Sequence, residues 1–219
     1  MKKFIFLAAA ALLISAASCG QQTTIRPQQL NESDLPGDIS YQGDLVAGCK
    51  YTDKTGENIV ILTETEVMKW EDETDDWIIL SNKSLYAHRF LKVNGQWEEV
   101  WRVYDMEFEC INYPIAEFVK EAFTITDLDR DGVAEIWLMY IKSCKGGVDP
   151  DNMFLRMYAG EEVYTLTGET KIRFHSNEDG MEYSYGGEYA MDDNFLNKQT
   201  PSVFVDYAKA LWEKHIQGK

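Results

Sequence analysis

The sequence predicts a β-rich α+β fold, a single antiparallel-type sheet domain with a C-terminal amphipathic helix. Three observations carry that reading. From Tyr41 onward the chain divides into short apolar stretches of strand length, set apart by turn residues. Asn94-Gly95 joins two of those stretches, and this dipeptide is the strongest short hairpin signal. The last stretch, TPSVFVDYAKALWEKHI, carries a helical apolar period instead.

Taken in order, LVAGCKYTD and ENIVILTETE flank Lys54-Thr55-Gly56 as a hairpin, and WIILSN follows the acidic turn EDETDD. SLYAHRFLKV and QWEEVWRVYDMEF meet at Asn94-Gly95. The spacing of Trp97, Val100, Trp101, Val103 and Tyr104 mixes periods, which leaves part of the second stretch open to a helix. PIAEFVKEAF reads as a short helix with Pro114 near its first turn. FTIT and AEIWLMYIK are apolar on both sides, as central strands are. MFLRMY and VYTLTGETKIRF continue the sheet around Ala159-Gly160, and HSNEDGMEYSYGGEYAMDDN is irregular. In the terminal helix Thr200 caps, Pro201 takes the first position, and Phe204, Ala208, Leu211 and Trp212 form one face. Trp70, Trp77, Trp97 and Trp101 read as core. The acidic stretch described below occurs once, which argues against a propeller of similar blades.

The N-terminus has its own logic. Lys2 and Lys3 precede the apolar run Phe4 to Ile14 and the small residues Ala16-Ala17-Ser18, so residues 1–18 read as a secretory signal. Small residues running into Cys19 resemble a bacterial lipobox, and that resemblance implies cleavage before Cys19 and lipidation of it. Acyl chains there would anchor the protein to a membrane, with the outer membrane favoured because Gly20 follows the cysteine. Residues 19–40 are polar and without period, a flexible tether, and residues 41–219 make one β-rich globular domain. A net charge of −16 repels nucleic acid and excludes it as a partner.

Export puts the remaining cysteines in a disulfide-permissive compartment. Cys110 and Cys144 flank the acidic loop and its strands and are the preferred pair, which leaves Cys49 as a buried thiol; three cysteines permit three single bridges.

TDLDRDGVAEIW, residues 126–137, sets Asp127, Asp129, Asp131 and Glu135 between two apolar runs. Two carboxylates about 4 Å apart repel by ~4 kcal/mol at an effective dielectric of 20. Convergence of four therefore calls for a cation. Gly132 supplies a sharp turn, Val133 offers a backbone carbonyl, and an all-oxygen donor set suits Ca²⁺ in a structural role. The competing reading is a plain Asp131-Gly132 turn with solvated acids, which does not require Asp127, Asp129 or Glu135. The twelfth position of the loop is Leu138, so this is not an EF-hand. The shortened form resembles the calcium loops of FG-GAP and VCBS-type extracellular repeats. FTITDLDRDGVAEIWLMY, then Cys144, VDPDNM and LTGETKI, resembles a family of small bacterial lipoproteins, some labelled surface polysaccharide biosynthesis protein. The resemblance covers about Phe123 to Ile172. It implies an envelope setting and a link to surface glycan.

Other candidates are weaker. His88, His175 and His215 lie far apart and form no metal pair, and no nucleophile elbow, phosphate loop or dinucleotide fingerprint is present. The acids of WEDETDDW read as a solvated turn rather than a second cation site. Tyr183, Tyr185 and Tyr189 are the candidate glycan contacts, weighed against ordinary packing. The expected protein is an envelope binding or assembly factor, more plausibly non-catalytic than enzymatic. Two other classes compete: a carbohydrate-active hydrolase using an acid pair, and an envelope interaction protein. A glycan binder predicts exposed coplanar rings, a hydrolase two inward carboxylates in a cleft, and an interaction protein an exposed apolar patch.

Overall fold

The computed structural model describes residues 25–74, 77–175, 180 and 182–217. The expected signal 1–18, the lipidation site Cys19, and Asp75 and Asp76 of the acidic turn lie outside the described residues. The fold is mostly antiparallel β-sheet with a C-terminal helix. Strands β1 (Gln28–Gln29), β2 (Asp44–Asp53), β3 (Gly56–Glu64), β4 (Met68–Glu71), β5 (Ile79–Val93) and β6 (Gln96–Cys110) form one sheet, in the order β1-β2-β3-β5-β6. β4 pairs with the first residues of β5, beyond the end of β3. A second sheet holds β7 (Tyr113–Phe118), β8 (Thr124–Thr126), β9 (Glu135–Lys145), β10 (Asn152–Ala159) and β11 (Glu162–Glu169). β12 (Lys171–His175) and β13 (Glu182–Gly186) make a separate ribbon, and β14 (Tyr189–Met191) returns to β11. Helices α1 (Asp193–Leu196) and α2 (Ser202–His215) close the chain.

Period-two alternation places the layers. Ile136, Leu138 and Tyr140 of β9 face the first sheet and meet Val60, Leu62 and Leu85. Trp137, Met139 and Ile141 face the other way, onto Phe204, Ala208, Leu211 and Trp212 of α2. The expected helix face is the one that docks. Its N-terminus differs from expectation: Pro201 stands at the cap with no side-chain cap, while the Thr200 hydroxyl donates to the Asn194 carbonyl at 2.5 Å. Asn94 (φ 51) and Gly95 (φ 89) both take the left-handed region, the geometry a two-residue hairpin turn requires.

Three expectations are corrected. Residues 113–118 form strand β7 rather than a helix, because Pro114, Ala116 and Phe118 alternate inward, and the 3-10 turn Lys120–Ala122 follows. Residues 25–40 are not a free tether. β1 pairs with β2, and Leu30, Leu35 and Ile39 cover Ile59, Ile61 and Phe90 on the outer face of the first sheet. Trp77 is 94% exposed rather than core, and Trp97 is half-buried beneath the ammonium groups of Lys50 and Lys92. Trp101 does pack, stacked on Tyr158 at 4.2 Å between the sheets. The three apolar cores of the described residues span Ile25 to Ile216.

On the outer face, His88 is buried between the rings of Tyr86 and Phe90. Its Nδ1 lies 2.6 Å from Glu99, which also binds Arg102, and its Nε2 has no hydrogen-bond partner. Burial pushes the imidazole below its ordinary value of 6.5 despite the opposing pull of Glu99. The folded state therefore favours neutral His88; its contribution is present above pH 6.5 and is lost as pH falls. The unfolding temperature is expected to decline on acidification below that value, and a His88→Gln variant to flatten this part of the profile. An unchanged profile in the variant would remove His88 as the cause.

Candidate metal centre

β8 and β9 form a hairpin: Thr126 pairs with Glu135, and the acidic loop 127–134 is their connection. Entering from both strands, its backbone curls through Arg130 (φ 62) and Gly132 (φ 84). Successive acids organise that curl. Asp127 Oδ1 accepts the Gly132 amide at 3.2 Å, and Asp129 Oδ1 the Asp131 amide at 3.1 Å. One oxygen each from Asp127, Asp129 and Glu135 comes within 4.8 Å of the others, a group able to hold a metal ion. Asp131 is not in that group. Its Oδ1 accepts the Val133 amide at 2.7 Å, and Asp131 and Val133 line the cleft in front of the loop with Asp129 and Glu135.

Glu135 is the anchor of the loop, with 1% exposure. It accepts from the Thr126 hydroxyl at 2.5 Å and the Leu128 amide at 2.9 Å, and the Trp137 indole N–H in turn donates to Thr126 at 2.8 Å. Burial pushes its carboxyl up, opposed by the bonds from Thr126 and Leu128 and reinforced by Asp129. A cation would reverse that balance by favouring the ionised form.

The first sheet holds the loop from behind. Asp53 Oδ1 gathers the Thr55 amide, the Thr55 hydroxyl and Asn58, while Oδ2 accepts the Ala134 amide at 3.0 Å. The Lys54 amide donates to the Gly132 carbonyl at 2.9 Å, and a side chain at Gly132 would strike the Lys54 stem. In front lies a cleft of about 230 Å³, lined by Asp129, Asp131 and Glu135 on one side and by Tyr164, Pro201 and Phe204 on the other. The α2 N-terminus thus brings the positive end of a helix dipole toward acids that belong to another element.

Of the tyrosines singled out in sequence, the structure brings two together. Phe174 pairs across the ribbon with Tyr183 and diagonally meets Tyr185, at 5.5 and 5.6 Å with planes within 20°. Tyr189 is elsewhere, packed on Trp212 in the core under α2. Sequence reasoning missed Phe174, although its place opposite Tyr183 follows once the ribbon is paired. It also missed Asp53, whose contact with the loop spans 81 positions and leaves no local signal. On the outer face of the first sheet Met68, Tyr104 and Phe108 are exposed, and Trp70, expected in the core, is half-buried with its ring 6.3 Å from that of Phe108. Cys110 and Cys144 form a disulfide, and Cys49 is a buried free thiol. No helix among the described residues is long and apolar enough to cross a membrane. No protein-family model, curated protein or solved structure matches the chain.

Proposed function

We propose that this is an exported, lipid-anchored envelope protein whose acidic loop binds a structural Ca²⁺, and that it holds or helps assemble surface polysaccharide. The observation that carries the calcium reading is the convergence of Asp127, Asp129 and Glu135 oxygens on one loop. Every donor is a hard oxygen, which fits Ca²⁺ and disfavours softer metals. Bound there, the ion supplies charge neutralisation. The chain supplies the rest: Thr126 and Leu128 orient Glu135, and Asp53 and Lys54 hold the turn against the first sheet. A disulfide supports an oxidising compartment, as export implies. The ring array of Phe174, Tyr183 and Tyr185 supports a sugar-stacking role for the ribbon.

Thermal unfolding of the body 25–217 in EDTA and in millimolar Ca²⁺ tests the ion. At ten times the dissociation constant the ion is expected to stabilise by about 1.4 kcal/mol, a rise of roughly 3–6 °C. An Asp127→Asn, Asp129→Asn variant is expected to lose the rise. A wild-type protein that does not respond to Ca²⁺ would reduce the loop to an acidic turn. Polysaccharide retention by the ribbon is checked separately with Phe174→Ala and Tyr185→Ala, which are expected to release the glycan while leaving the calcium response intact.

A further inference from the structure

The two sheets do not meet along one side. β1 covers only Lys50 and Cys49 of β2, and β8 is three residues long, so neither edge closes the gap between them. The result is a cleft of about 500 Å³, within the range of small-molecule sites. Val46 and Ala47 from one sheet and Phe123 and Ile125 from the other line it, and all four continue the inter-sheet core while staying partly open to solvent. One cationic side chain lines it, that of Lys120. Lys120 is exposed and has no carboxylate partner among the described residues.

We propose that this cleft binds the single acyl chain of a small amphipathic anion, with the chain between the sheets and the anionic head at Lys120. Apolar walls favour the chain by about 0.8 kcal/mol for each methylene removed from water. One unpaired ammonium at the rim selects a carboxylate or phosphate head over a neutral one. The site is independent of the acidic loop, which lies in a different cleft.

Dodecanoate below its micellar concentration is the probe, titrated into the body 25–217 by calorimetry. Saturable binding with a rise in unfolding temperature is expected. Lys120→Gln, an exposed change, is expected to weaken dodecanoate about tenfold and leave dodecanol unchanged. Ala47→Phe, which fills the cleft, is expected to abolish both. In the wild type, dodecanoate is expected to slow alkylation of Cys49, the free thiol that opens on the cleft, a readout needing no variant. Phosphatidylglycerol vesicles separate the sources of the chemistry: protection of Cys49 by vesicles as well as by dodecanoate would make a membrane lipid a donor of the chain. Absence of saturable dodecanoate binding overturns the proposal, and so does equal binding by wild type and Ala47→Phe. Attachment to vesicles with no effect of dodecanoate overturns it in favour of a surface contact.

Discussion

Replacing Trp137 with alanine is expected to cost about 3–5 kcal/mol, the range for emptying a large aromatic site in a core. Trp137 is fully buried in β9, between Met139 and Met157 on its sheet and Tyr207 of α2, whose ring lies 4.8 Å away. Its neighbours belong to a rigid sheet on one side and a docked helix on the other, so the vacated space cannot collapse readily. The indole has a second task. Its N–H bonds Thr126, and Thr126 bonds Glu135, so one side chain links the core to the acidic loop. Trp137→Phe separates the two effects. It keeps most of the ring volume and loses the N–H, for a cost of about 1–2 kcal/mol. Its calcium response is expected to weaken, whereas a helix-side change such as Leu211→Ala should lower stability and leave the response alone. Equal calcium responses in wild type and Trp137→Phe would show that Thr126 holds Glu135 without help from the core.

Such a link could not be read locally. The acids of the loop were legible because they fall within nine consecutive residues, and Asp127, Asp129 and Glu135 do converge. Asp131, the fourth acid of the expected set, is not in that group. The left-handed turn at Arg130 and Gly132 sends Asp131 back to the Val133 amide instead. Asp53 was invisible for a different reason: a buried carboxylate shared between two sheets is defined by tertiary contact and has no spacing to find.

At the level of fold, period and turn chemistry carried far. The Asn94-Gly95 hairpin, the central strand β9 and the apolar face of α2 were each legible because each rests on local geometry. β7 was misread because Pro114 with an alternating Ala116 and Phe118 looks the same, over six residues, as a helix start. The N-terminal segment was misread because Leu30, Leu35 and Ile39 follow no period. They are spaced to cover an already formed sheet face, and an extended cover strip needs no repeat.

Removal of the Cys110–Cys144 bridge is the other large effect, expected at about 4 kcal/mol in the chain-entropy account for a separation of 34 residues. The bridge ties the last residue of β6 to β9, and so one sheet to the other. Cys110 is buried and Cys144 exposed, so the test is Cys110→Ala with Cys144→Ser, which avoids burying a hydroxyl. A loss of that size would lower the unfolding temperature by roughly 8–16 °C in a body of this length. A loss below about 1 kcal/mol would mean that the reduced, unfolded chain already keeps this loop closed, because the entropic benefit comes from the denatured state. The bridge and the acidic loop sit at opposite ends of β9, nine residues and about 30 Å apart. At that distance the disulfide variant and the Asp127→Asn, Asp129→Asn variant are expected to add within about 0.5 kcal/mol. The calcium-induced rise should therefore survive in the bridge-free protein at its lower temperature. Its disappearance there would show that β9 transmits strain along its length, and that the cation and the disulfide stabilise a single cooperative unit.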